Sequence, residues 1–153
     1  MNKNGYYYMC HPYSVFSVDE SGNENRKELE RQFQLANKAA GWLMDPKQGF
    51  SIISPISHCH PIAEIHDLPR TWEYWKKIDQ TYIEASIGII VVMNDGWGQS
   101  EGVTSEIELA RQLGKPIYWL IPVHDKRYEL VSSYRDYTQE YSPDEDIQKE
   151  WYE

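Results

Sequence analysis

Positive charge is scarce in this chain: 15 Lys and Arg stand against 24 Asp and Glu, a formal net charge of −9. Proteins that hold polymeric nucleic acid or acidic membranes need clustered Lys and Arg, so both are excluded as expected partners, while a small anion held locally is not. Cysteine is also scarce. Cys10 and Cys59 are far apart, without CxxC spacing, and support no disulfide framework. The N-terminus has neither a basic patch nor an uninterrupted apolar stretch, and no run reads as a membrane span. The expected compartment is a reducing cytosol. Neither GxGxxG nor GxxxxGK[ST] occurs, which argues against nicotinamide and ATP chemistry, and no GxSxG elbow surrounds Ser14. His58-Cys59-His60 offers adjacent ligands on one extended segment, an arrangement that rarely converges on a metal ion. No cofactor or metal is expected.

What the sequence does have is aromatic and apolar side chains. Six Trp, 12 Tyr and 41% apolar content within 153 residues suit one globular domain with a sizeable core. They also suit a pocket for a flat ring or a subunit interface. Tyr6 to Cys10 reads as a strand ended by His11-Pro12. Apolar residues from Arg26 to Met44 recur at helical spacing, and Pro46 and Gly49 stop that helix. Phe50 to Ser54 reads as a second strand followed by a loop from Ile56 to Pro69. Thr71 to Ser86 returns to helix, with Trp72, Trp75, Asp79, Tyr82 and Ile83 on one stripe. A third strand, Gly88 to Met93, a helix from about Val103 to Leu113 and a fourth strand, Ile117 to Ile121, complete the alternation. Continuous apolar strands alternating with helices predict an α/β fold: a single doubly wound parallel sheet, flavodoxin- or Rossmann-like, of four to five strands with helices on both faces. Residues 1–122 form the expected domain. Residues 123–153, where Tyr128, Tyr134, Tyr137, Tyr141, Trp151 and Tyr152 mix with acids, form a flank of the same domain or a subunit contact.

The segment Asn94 to Ala110 concentrates the chemistry. A glycine-rich turn follows a buried strand, and a helix then carries Glu106 near its start, where unpaired N–H groups favour an ionised carboxylate. Such a carboxylate is what attack on an anomeric carbon needs; it also suits an ordinary helix cap. Asp79 belongs to an inward stripe, so desolvation should keep it protonated and able to donate to a leaving group. The alternative is a buried aspartate satisfied by backbone N–H groups or Arg70. Ser100, Gly102 and the following N–H groups offer a phosphate cradle that Arg26 can reach, with His11, Tyr13 and His58 in the loops above the first two strands. Trp97 and Trp75 are candidates to stack on a base or to pack the core; Asp95 lies in the same turn as Trp97.

Tyr8-Met9-Cys10-His11-Pro12-Tyr13-Ser14, Ser54-Pro55-Ile56, Asp79, Ser100-x-Gly102-Val103-x-x-Glu106 and Gly114-Lys115-Pro116 together resemble the nucleoside 2-deoxyribosyltransferase-like superfamily and its relatives, the deoxynucleoside monophosphate N-glycosidases. The resemblance spans about Tyr6 to Ile121. It implies Glu106 as the nucleophile at C1′, Tyr8 beside it and Asp79 on the base side. Ser100, where transferases usually carry Asp, implies a contact to a 5′-phosphate. The implied activity is cleavage or transfer of the N-glycosidic bond of a nucleoside 5′-monophosphate or nucleoside, by a homodimer or larger assembly. Ala85-Ser86-Ile87 lacks the aspartate many members carry there, so a non-catalytic nucleotide-binding or sequestering protein is the alternative.

Overall fold

The computed structural model describes residues 4–15, 21–132 and 143–152. Eleven elements follow in order: β1 (Tyr7–Cys10), α1 (Arg26–Met44), β2 (Ile52–Ile53), α2 (Pro55–His66), α3 (Trp72–Ala85), β3 (Gly88–Val92), a 3-10 turn (Trp97–Gln99), α4 (Glu101–Gln112), β4 (Ile117–Val123), β5 (Arg127–Val131) and α5 (Glu145–Tyr152). The sheet runs β2-β1-β3-β4-β5. Its first four strands are parallel, and β5 pairs antiparallel with β4. The α/β fold read from the sequence is the fold observed.

Alternation along the strands divides the core in two. Tyr7, Met9, Ile90, Val92 and Leu120 point to one face, under Leu35, Ala36, Ala39 and Leu43 of α1 and Ile147 and Trp151 of α5. Tyr8, Cys10, Ile89, Val91, Met93, Trp119 and Ile121 point to the other, under Ile83 of α3 and Val103, Ile107 and Ala110 of α4. A side-chain period of two makes this assignment strict, because a one-residue slip would exchange the faces. Tyr8 is thereby committed to the face of α3 and α4. Each buried Leu, Ile, Val or Met contributes about 1.5–3 kcal/mol.

Three expectations need correction. Residues 56–69 are not one loop: Pro55 occupies the first turn of α2, where its missing N–H is no loss, and the helix continues through Pro61 to an end at Asp67 in the left-handed region, φ 51°. The prolines had read as breakers. Next, α4 begins at Glu101, not near Val103, because the Ser100 hydroxyl accepts from the Val103 N–H at 3.2 Å and caps it. Lastly, the boundary at residue 122 falls inside β4; β5 extends the sheet, and Trp151 and Ile147 of α5 enter the core. Tyr134, Tyr137 and Tyr141 lie outside the described residues. Among those described, no helix is long and apolar enough to cross a membrane.

Candidate active site

In a sheet ordered 2-1-3-4-5 the chain leaves β1 and β3 in opposite directions, and a crevice opens at their carboxyl ends. A pocket of about 70 Å³ occupies that place. Tyr8 and Met9 of β1 line it with His11, Tyr13 and Ser14 of the following loop. Cys59, His60 and Ala63 come from α2, Arg70 and Thr71 from the turn after it, Trp72, Trp75 and Asp79 from α3, and Ser100, Gly102 and Glu106 from the start of α4.

Three ionisable groups, Tyr8, Asp79 and Glu106, converge here without a cation among them, and Cys10 is buried beside them. Glu106 is 5% exposed and Tyr8 1% exposed. Burial, then the charge of Asp79, pushes the Glu106 carboxyl well above the usual carboxylate range, against a hydrogen bond from Tyr8. Burial raises Asp79 to about 7, again opposed by a hydrogen bond from Tyr8. Tyr8 and Cys10 are raised by their own burial and then by the neighbouring carboxylates. Asp79 lies in the pocket, as its stripe predicts, and the direction of its shift is the one that burial there gives. Glu106 departs from expectation: with α4 starting at Glu101 it sits in the second turn, beyond the free N–H groups, and the helix dipole fades past the first turn. Desolvation dominates, and it pushes Glu106 toward its protonated form. Arg70 does not neutralise Asp79 either, for it is engaged by Glu64 at 3.0 Å and Asp67 at 3.2 Å.

His11 is fixed rather than reactive. Its Nδ1–H donates to the Pro12 carbonyl at 2.7 Å, and Nε2 accepts from the Asn94 amide at 2.8 Å. Burial lowers its pKa to about 4, so the ring is neutral and ties the loop after β1 to the end of β3. Gly102 lets an indole close on α4: a Cβ there would lie 3.2 Å from Cε3 of Trp72. The Trp75 indole N–H donates to the Pro69 carbonyl at 2.8 Å, holding that ring at the pocket wall.

Of the residues singled out from the sequence, Tyr8, His11, Tyr13, Trp75, Asp79, Ser100, Gly102 and Glu106 share this pocket. Arg26, Trp97, Asp95 and His58 do not line it. Arg26 lies 3.5–3.6 Å from Glu24, Glu64 and Asp67, so these acids rather than the crevice hold its guanidinium. Trp97 is a core residue, 1% exposed and edge-on to Trp119 at 5.9 Å. Asp95 is half-buried beyond β3 and off the pocket wall. His58 is exposed on α2, facing a separate groove with Met44, Ile52 and Tyr82, because adjacent helical residues point about 100° apart. Sequence reasoning missed Trp72 and Arg70 as pocket residues. Trp72 was on the inward stripe; for Arg70, following Pro69 in a turn, no periodicity carried a signal.

The chain belongs to the family described as a domain of unknown function, DUF1937, whose pattern matches residues 5–121. That stretch contains every residue lining the pocket. No curated protein matches the chain.

Proposed function

We propose that this member of the DUF1937 family cleaves or transfers an N-glycosidic bond of a nucleoside or nucleoside 5′-monophosphate, as the resemblance to nucleoside 2-deoxyribosyltransferases implies. The observation that carries the reading is the convergence of Tyr8, Asp79 and Glu106, from three elements distant in sequence, on one pocket at the crevice of the sheet. Two interacting carboxyls with raised pKa values titrate as a pair, and the reaction uses the state in which that pair holds one proton. Attack uses the arrangement in which Asp79 holds it. Tyr8, hydrogen-bonded to both carboxyls, stabilises either arrangement.

In that arrangement a Glu106 oxygen bonds to C1′, the C1′–N bond breaks with its electron pair going to the base, and Asp79 protonates the base nitrogen. Water then attacks C1′, releasing Glu106 and returning a proton to Asp79; a second base in place of water completes a transfer. The pocket of about 70 Å³ has room for roughly five waters at ~15 Å³ each, a space matched to a pentose. The base is left to the part of the pocket that Trp72 and Trp75 line.

The test is release of free base from a panel of nucleosides and monophosphates. Glu106→Gln is expected to lower it by about 10³-fold or more, in the range seen when a nucleophile is removed, and a 2′-fluoro nucleoside should leave its sugar on Glu106. Labelling at another residue moves the nucleophile. A second reading, a nucleotide-binding or sequestering module, draws on the protonated Glu106, a carboxyl that donates a hydrogen bond as an amide does. It predicts tight binding unaltered by Glu106→Gln and no released base.

A further inference from the structure

Tyr13 and His60 of the pocket wall belong to a second polar chain. Glu30 Oε2 lies 2.9 Å from His60 Nε2, and His60 Nδ1 lies 2.5 Å from the Tyr13 hydroxyl. Phe33 stacks on the imidazole at 4.6 Å, and the ring is almost wholly buried, so its orientation is held on every side. A carboxylate only accepts; the nitrogen facing Glu30 therefore carries the proton, and in the neutral ring Nδ1 is left as an acceptor. With the ring in that neutral form, Tyr13 spends its single O–H on Nδ1. What its oxygen retains is acceptor capacity, and the Arg70 guanidinium stands close enough to interact with it.

Arg70 supplies the complementary group. Its side chain is 6% exposed, yet buried Nε has no hydrogen-bond partner, the nearest carboxylate oxygen, of Glu24, standing at 3.7 Å. The other two nitrogens are committed to the carbonyls of Ala63 and Leu68 and to Glu64 and Asp67. Charge at this wall is already balanced in the negative direction, since the guanidinium groups of Arg70 and Arg26 are both shared among Glu24, Glu64 and Asp67. A phosphate or carboxylate would meet acids here before it met a free cation.

We propose that Tyr13, His60 and Arg70 form a subsite for an uncharged hydroxyl of the ligand, donating to the Tyr13 oxygen and accepting from Arg70 Nε, with Glu30 setting the polarity through His60. Resting on the N-glycoside reading, this hydroxyl is one of the sugar's, and the subsite discriminates against a phosphate in its place. A site that pairs a ligand hydroxyl rejects the analogue lacking it far more strongly than an apolar wall does, because its own groups are then left unsatisfied.

The experiment uses calorimetric binding to Glu106→Gln, so that turnover does not intervene. The ligands are thymidine and 2′-deoxyadenosine, their 3′- and 5′-deoxy analogues, and their 5′-monophosphates. Loss of one hydroxyl is expected to weaken binding about ten-fold or more, and to cost less than about two-fold once Tyr13→Phe is added, the coupling that a double-mutant cycle reads. Glu30→Ala, on the exposed side of the chain, should narrow the same discrimination without touching the ligand. Equal hydroxyl discrimination with and without Tyr13, or no binding by any nucleoside, overturns the subsite. Imidazole nitrogen spectra add a ligand-independent check: His60 as the Nε2–H tautomer supports it, and the Nδ1–H tautomer overturns it. Base release by the unsubstituted protein is read separately. Release without Tyr13-dependent discrimination removes this subsite alone, whereas discrimination without release removes the glycosidic chemistry alone.

Discussion

Replacing Asp79 by Asn should make the protein more stable, and increasingly so as pH rises. Asp79 goes from an ordinary carboxyl pKa of 3.8 to about 7 because folding takes it out of water without giving it a cation. An acid raised on folding keeps its proton in the native state after the unfolded chain has lost it, so the native state binds more protons and stability falls as pH climbs between the two values. At ~1.4 kcal/mol per pH unit, the window from 3.8 to about 7 amounts to about 4 kcal/mol, of which about half is lost by pH ~5.5. Asn keeps the shape of the protonated side chain and has nothing to ionise. Asp79→Asn should therefore exceed the parent by about 2 kcal/mol near pH ~5.5 and by about 4 near pH ~8, both upper bounds because the half-buried carboxylate keeps some water. Glu106, raised in the same direction, leaves a residual downward slope in the variant. Urea unfolding followed by tryptophan fluorescence across this range measures it. A parent whose stability stays flat or rises with pH, or a variant that shares the parent's slope, would refute the desolvation argument. The stability gained should be accompanied by lost base release, the usual exchange where a strained site does chemistry.

Two further outcomes follow from the packing. Arg26→Ala should change stability by no more than about 0.5 kcal/mol, since its ion pairs are long and its side chain 59% exposed, and should leave ligand affinity in calorimetry unchanged. Trp151→Ala should cost about 3–5 kcal/mol in urea unfolding, because the indole is 3% exposed and packs on Tyr128 at 4.4 Å between ring centroids. A loss below about 1 kcal/mol would mean that α5 contributes little to the core.

Where a residue's role follows from local periodicity, the sequence alone determined it. The bounds of α1, the apolar run of β3 and the inward stripe of α3 follow from spacing of 3.6 or 2 residues, and with them came the α/β architecture and Asp79 facing the interior. Glu106 was legible as a helix residue next to a glycine-rich turn, but its charge state was not, because that depends on one hydroxyl three residues before the expected helix start. Once Ser100 caps α4, Glu106 moves out of reach of the free N–H groups and into desolvated contact with Tyr8 and Asp79. Arg26 and Arg70 show the other limit. Both are arginines beside polar turns, and only the folding of α2 onto α1 decides that Arg26 is held among surface acids while Arg70 lines the pocket. Periodicity records which way a side chain points from its own element; what that side chain meets, and therefore whether it keeps its proton or its charge, is set by elements far away in the chain.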